Sequence, residues 1–177
     1  MKTIKVAING FGRIGRTLFR VLHQREGIDV VAINDVADLH SLAHLLKYDS
    51  IHRTFDAQIS VNENSFLVDG RAITYTQHSK LDCLAWTNCD VVIEASGKFL
   101  SKADLEQHII AGAKKVILAA PSNGDEVKMV VLGVNDEIID SEDTLLSNAS
   151  CTTNSAAPMV QLMDQNFGVE QAYICLL

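Results

Sequence analysis

Several things are scarce in this chain, and each scarcity excludes something. Two prolines in 177 residues leave no linker or proline-rich tract, and no low-complexity stretch or internal repeat stands out. The four cysteines, Cys83, Cys89, Cys151 and Cys175, form no C-x-x-C pair and belong to no His/Cys set with zinc-ligand spacing. No metal site is expected from them, and a reduced, cytoplasmic setting is. Basic residues are outnumbered, 15 Lys and Arg against 22 Asp and Glu, for a net charge of −7. That balance argues against nucleic acid or acidic membrane surfaces as partners, although a local basic loop can still hold one phosphate group. Apolar runs are short as well. Ile4-Lys5-Val6-Ala7-Ile8 is shorter than the core of a signal peptide, and Val116 to Pro121 falls far below the ~20 residues of a membrane span.

What is present suits one globular domain with a buried core: 47% hydrophobic residues and 21% charged. Short β-branched runs alternate with segments of helical period. Ile4 to Ile8 reads as a strand, and Leu18, Val21 and Leu22 as the apolar stripe of a following helix. Val30 to Ile33 reads as a second strand, and Asp38 to Leu46, with Leu39, Leu42, Ala43 and Leu46 on one face, as a second helix. Turns at Asn62-Glu63-Asn64 and Asp69-Gly70 mark hairpins inserted before the parallel pattern resumes. Val91 to Glu94 is then a strand, Ala103 to Ala111 a helix, and Val116 to Leu118, Met129 to Leu132 and Thr144 to Leu146 are strands. The expected fold is α/β, a doubly wound and mostly parallel sheet covered on both faces.

Between the first strand and the first helix stands Gly10-Phe11-Gly12-Arg13-Ile14-Gly15, the G-x-G-x-x-G spacing in the context that gives it meaning. Gly10 suits the tight turn, Gly12 a close approach of pyrophosphate to the backbone, and Gly15 close packing of helix on strand. Asp35 follows twenty residues after Gly15, at the end of the second strand. A carboxylate there accepts hydrogen bonds from both ribose hydroxyls of NAD and repels a 2′-phosphate, and no arginine follows closely to neutralise one. NAD is therefore expected over NADP.

A second informative stretch is Ser147-Asn148-Ala149-Ser150-Cys151-Thr152-Thr153-Asn154-Ser155, followed by Pro158 and the apolar Met159, Val160, Leu162 and Met163. Ser150 suits an N-cap, Pro158 is tolerable only near a helix start, and a helix dipole at Cys151 would favour the nucleophilic thiolate. On spacing alone, a buried structural cysteine stays as open as a catalytic one.

Taken together, Asn9-Gly10-Phe11-Gly12-Arg13-Ile14-Gly15-Arg16 and Ser147 to Asn154 closely resemble the glyceraldehyde-3-phosphate dehydrogenases. Leu45 to Ser50, Glu94 to Phe99, Ala111 to Val116 and Gly133-Val134-Asn135 support the resemblance, which spans essentially all 177 residues. It implies an NAD-binding Rossmann domain over residues 1–150, with residues 151–177 supplying the nucleophile helix and first strand of an incomplete catalytic domain. It further implies that Cys151 attacks a small phosphorylated aldehyde, that a hydride passes to NAD, and that inorganic phosphate resolves the thioester to an acyl phosphate. Ser150 and Thr152 would bind phosphate oxygens. Asn9, Gly10, Phe11, Gly12, Arg13, Ile14, Gly15, Asp35, Ser96 and Gly97 would form the cofactor site.

Departures from the family pattern are specific. Ser79 stands where many members carry an arginine near the adenine, Ala119 where a serine is usual near the nicotinamide, and Ser155 where a second cysteine is common. Alignment of 170–174 puts the family's catalytic histidine one position beyond Leu177, and Cys175-Leu176-Leu177 lacks the threonines that precede it. None of the six histidines offers an obvious replacement. The resemblance thus leaves an enzyme half that works with a complementing carboxy-terminal half, or a truncated dinucleotide-binding module without turnover. Glyceraldehyde 3-phosphate is expected ahead of erythrose 4-phosphate as substrate, and full-length relatives are expected to be homo-oligomers.

Overall fold

Short runs of valine and isoleucine become the centre of one nine-stranded, mostly parallel sheet in the computed structural model, which describes residues 2–175. β1 (Ile4–Asn9), α1 (Arg13–His23), β2 (Ile28–Asn34) and α2 (Leu39–Lys47) open the chain. A separate hairpin of β3 (Tyr48–Asp49) and β4 (Arg53–Thr54) precedes β5 (Ile59–Asn62), β6 (Ser65–Val68) and β7 (Arg71–Thr76). β8 (Val91–Glu94), α3 (Lys102–Ile110), β9 (Lys115–Leu118), β10 (Lys128–Met129), β11 (Leu145–Ser147) and α4 (Cys151–Phe167) complete the order.

Across the sheet the strands run β10-β11-β9-β8-β1-β2-β7-β6-β5. All pairs from β10 to β7 are parallel, and β5-β6-β7 is antiparallel. The chain winds outward from β1 to β2 on one side and returns to β8 on the other. Such a reversal opens a crevice at the carboxyl ends of the strands.

Each face of the sheet carries its own apolar layer. Phe11, Phe19 and Phe66 anchor one, all at most 1% exposed, with ring centroids 5.8 and 5.4 Å from Phe11. Burial of an aromatic or aliphatic side chain of this size is worth about 1.5–3 kcal/mol, so these rings hold α1 and the β6-β7 hairpin against the strands. Leu105, Trp86, Val92, Val116 and Leu118 form the other layer under α3. A capping box between Ser101 and Asp104 fixes where α3 starts and so turns Leu105 and His108 toward the sheet.

The structure corrects several sequence readings. On α1 Leu18 and Leu22 pack against the core as expected, but Val21 is exposed, and the buried residues are Gly15, Phe19 and Arg20, whose guanidinium caps the Leu46, His52 and Arg53 carbonyls. The hairpins at 59–76 widen the sheet at its edge, with Asp69 and Gly70 both at positive φ in the mirror-image turn that suits a tight hairpin. β10 stops at Met129 because the Val131 N–H is taken by Asn135 Oδ1, which replaces the ladder by a turn. Pro158 lies inside α4, in its eighth position, and the helix continues nine residues past it. The ring removes one helical N–H, and the rest of the helix carries on around the gap. The strand expected at 170–174 is absent: 168–175 is irregular, with no neighbouring strand to pair its backbone. Leu176 and Leu177 lie outside the described residues. No helix among the described residues is long and apolar enough to cross a membrane.

Candidate functional site

Four parallel strands end in a row of polar residues. Glu94 of β8 is in register with Asn9 of β1, Asn9 with Asn34 of β2, and Asn34 with Thr76 of β7. Glu94, Asn9 and Asn34 are at most 3% exposed. The Asn9 amide donates to Glu94 Oε2, Asn34 Nδ2 donates to Asn9 Oδ1 at 2.8 Å, and Thr76 Oγ1 donates to Asn34 Oδ1 at 2.9 Å. The strand ends are thus tied by side chains as well as by the ladder. Each residue after this row begins a loop that lines the crevice.

The first of these loops is the glycine turn. Gly10 has φ +91°, and a Cβ there would lie 2.4 Å from Ser96 N and Cα. A Cβ on Gly15 would lie 2.1 Å from the Gly10 carbonyl oxygen. Neither position can hold a side chain, for reasons internal to the fold. Gly12 differs: its φ is −67°, and a Cβ there meets no atom within 4 Å. Nothing in the protein itself requires glycine at 12, the N-cap of α1. A close-lying anionic group such as a pyrophosphate would require it.

Asp35 begins the second loop. Its Oδ2 accepts from Phe11 N at 2.5 Å and its Oδ1 from Ala37 N at 2.9 Å. These bonds fix the carboxylate and leave each oxygen a further acceptor position, which matches a pair of ribose hydroxyls. Behind the loop, the Tyr75 hydroxyl donates to the carbonyls of Ala37 and Asp35. Burial, then the Asp35 and Asp38 carboxylates, push the Tyr75 hydroxyl up to about 12. Arg16 donates to the Phe11 carbonyl at 3.0 Å, and burial lowers its guanidinium from the usual value against the opposing pull of Asp49 and Asp35.

The resulting cleft encloses about 240 Å³. Of the residues expected for a cofactor site, Asn9, Gly10, Gly12, Asp35 and Ser96 line it. Phe11 and Gly15 do not: the Phe11 ring is wholly in the core, and Gly15 packs on Gly10. Arg13, Ile14 and Gly97 lie outside the lining, with Ile14 52% exposed at the start of α1. Asn34, Val36 and His78 line the cleft without having been singled out, as do Ser79, noted above only as a departure, and Ala95, Lys98 and Phe99, noted only within the Glu94 to Phe99 match. Asn34 had a legible signal, since an amide ending an apolar strand beside Asp35 has to be paired. Lys98 and Phe99 had only the family match of their stretch, because it is the pairing of β1 with β8 that brings their loop to the glycine turn.

The thiol loop is built at the end of β9 and β11. Ser147 Oγ donates to the Ala120 carbonyl at 2.6 Å and accepts from Ala149 N, and Asn148 N donates to the Leu118 carbonyl. Ala149 is buried with φ +54°, a left-handed conformation that costs an alanine roughly 1–2 kcal/mol. Ser150 caps α4 by accepting from Thr153 N at 2.9 Å, so its hydroxyl is already engaged. The Asn154 amide closes the loop on the carbonyls of Asn148 and Ser150. Cys151 is exposed as the first residue of α4, and Thr152 sits beside it, half-buried. An exposed thiol on a rigid loop at a helix start can act as a nucleophile.

This combination of cleft and thiol loop has close parallels. A family model described as glyceraldehyde 3-phosphate dehydrogenase, NAD binding domain, matches residues 4–102, more than half of the chain. The glyceraldehyde-3-phosphate dehydrogenase of Mycoplasma pneumoniae is 45% identical over 170 residues, 95% of this chain and 50% of the relative. That of Thermotoga maritima is 46% identical over 169 residues, 93% and 50%, and that of Geobacillus stearothermophilus 44% over 169, 94% and 50%. The chain spans about half the length of these relatives. With the glycine turn, its acid and the β1 to β8 part of the wound sheet in the region that the family model covers, the chain belongs to the glyceraldehyde-3-phosphate dehydrogenase family and carries its NAD-binding domain.

Proposed function

We propose that this chain is the cofactor-binding half of a phosphorylating aldehyde dehydrogenase, with residues 1–150 holding NAD and residues 151–177 opening the catalytic domain. The observation that carries the reading is the open space at Gly12 beside a pinned Asp35 carboxylate: the glycine is free of internal need, and the acid keeps acceptor positions. Gly12 and the first turn of α1 would take the pyrophosphate, Asp35 the ribose hydroxyls, and Ser96 would border the cofactor across the cleft. Bound NAD supplies the hydride acceptor.

Cys151 would attack the aldehyde carbon of glyceraldehyde 3-phosphate to form a thiohemiacetal. Oxidation of that adduct, for which bound NAD would supply the hydride acceptor, would leave a thioester on Cys151, and attack by inorganic phosphate would release the acyl phosphate and restore the thiolate. Thr152 and the free N–H groups at the start of α4 suit phosphate oxygens. In this reading the base that takes the hydroxyl proton comes with the other half of the relatives' length, as does the surface that makes a homo-oligomer. The exposed apolar face of α4, Met159, Leu162, Met163 and Phe167 at 51–80% exposure, supports such a complement.

A second reading, a dinucleotide-binding module without turnover, is favoured by the engagement of His23 with Asp69 and of His108 with Trp86 and Glu94. One experiment separates the two. The chain is mixed with the carboxy-terminal half of a relative, and NADH is followed in the presence of phosphate and either glyceraldehyde 3-phosphate or erythrose 4-phosphate. The enzyme reading expects NADH formation that needs both polypeptides and is abolished by Cys151→Ser. Oxidation of unphosphorylated aldehydes only, or an active Cys151→Ser mixture, contradicts it. NAD binding without any turnover in the mixture supports the module.

A further inference from the structure

Glu94 is fully buried at the end of β8, and its side chain takes no part in lining the cleft. Its carboxylate accepts three hydrogen bonds: from Ser96 N at 2.7 Å, from the Asn9 amide, and from His108 Nε2 at 2.9 Å. The direction of the last bond follows from the next partner. Trp86 Nε1 lies 2.9 Å from His108 Nδ1, and an indole N–H only donates, so Nδ1 carries no proton and the ring proton sits on Nε2, facing Glu94. The imidazole is therefore neutral. Three donors and no cation surround a buried carboxylate, a costly arrangement that such charge-assisted bonds make tolerable.

We infer that Glu94 is a positioning residue for the dinucleotide, setting the distance between the loops of the cleft before any ligand arrives. The inference rests on the NAD-binding reading above. Ser96 is the residue against which Gly10 packs, with N and Cα 2.4 Å from where a Gly10 side chain would begin. Asn9 precedes Gly10 and, through Oδ1, holds Asn34, which precedes Asp35. One carboxylate thus ties the glycine turn to the Ser96 loop directly and to the Asp35 loop through one further side chain. Trp86 and His108, on the far side, fix the carboxylate's orientation. Preorganisation of this kind appears as affinity, since the ligand does not have to order the loops.

The test is Glu94→Gln, which preserves shape. A glutamine amide offers one acceptor oxygen where the site presents donors to both oxygens, so its NH₂ faces either Ser96 N–H or the Asn9 and His108 donors. The expected result is a folded chain whose NAD affinity falls about tenfold or more by calorimetric titration, the scale on which hydrogen bonds to a charged group act. In the unsubstituted chain without NAD, hydrogen exchange at the Ser96 amide should already be slow. A purely structural role predicts a lower melting temperature with unchanged NAD affinity in the folded chain, and that result overturns the inference. Fast exchange at Ser96 in the free chain overturns it as well, whether or not the variant folds. If the unsubstituted chain does not bind NAD at all, the reading beneath the inference fails, and the inference with it. Binding by that chain together with equal binding by Glu94→Gln removes the positioning role alone.

Discussion

Gly15 packs so closely on Gly10 that a single added carbon would sit 2.1 Å from the Gly10 carbonyl oxygen, whereas Gly12, between them in the same turn, faces open space. The two substitutions should therefore fail differently. Gly15→Ala forces α1 off β1 and should destabilise the fold by several kcal/mol, on the order of a severe overpacking change. Gly12→Ala should leave the denaturation midpoint nearly unchanged while weakening NAD binding at least tenfold. Equal loss of stability in both variants would show that Gly12 serves the fold.

The hydroxyl of Tyr75 couples the Asp35 loop to pH. Its folded value is raised to about 12, mainly by burial, above the unfolded tyrosine value of about 10. The native state then holds a proton that the unfolded chain has released, so its contribution is complete below pH 10 and is lost as pH rises toward 12. The stability difference between the chain and Tyr75→Phe, read by urea unfolding, should be flat to about pH 10. Above that the unsubstituted chain should lose on the order of 2 kcal/mol relative to the variant. A difference that stays constant through this range contradicts the assignment.

Much of this fold is legible in the residues because its signals are local. Valine and isoleucine runs ended by polar residues, and leucines at helical spacing, place β1, β2, β8 and α2 within a residue or two. The glycine turn and Asp35 are legible for the same reason, since strand, turn, helix and acid follow one another within about thirty residues. What escapes is set by register between distant segments. Glu94, Asn9 and Asn34 look like three unrelated polar strand ends until the pairing of β1 with both β2 and β8 lines them up. His108 looks like a polar helix position until the capping box of α3 aims it inward. β10 fails as a long strand because one asparagine side chain competes for its backbone, a contest that periodicity does not register.

Thiol reactivity should sort the cysteines by exposure. Cys83, Cys151 and Cys175 are exposed, and Cys89 is 2% exposed with its thiol directed at backbone carbonyls. The hydrogen bond of Cys83 to Asp82, and the negative charge beside it, raise that thiol above its usual range and should slow its reaction near neutrality; burial raises Cys89. Labelling followed by peptide mass spectrometry should therefore find Cys151 and Cys175 modified first, Cys83 later, and Cys89 only after denaturant. Early labelling of Cys89 would contradict its burial just before β8.

The claim on which the rest depends is that the cleft between Gly10, Asp35 and Ser96 binds NAD and uses Asp35 to refuse a 2′-phosphate. Titration of the chain with NAD and with NADP in a calorimeter, repeated with Asp35→Ala, tests it most directly. NAD should bind at least tenfold more tightly than NADP, since the carboxylate accepts from ribose hydroxyls in one case and meets like charge in the other. Asp35→Ala should weaken NAD and narrow the difference. Equal or tighter binding of NADP by the unsubstituted chain, or an NAD affinity indifferent to Asp35→Ala, would contradict the account.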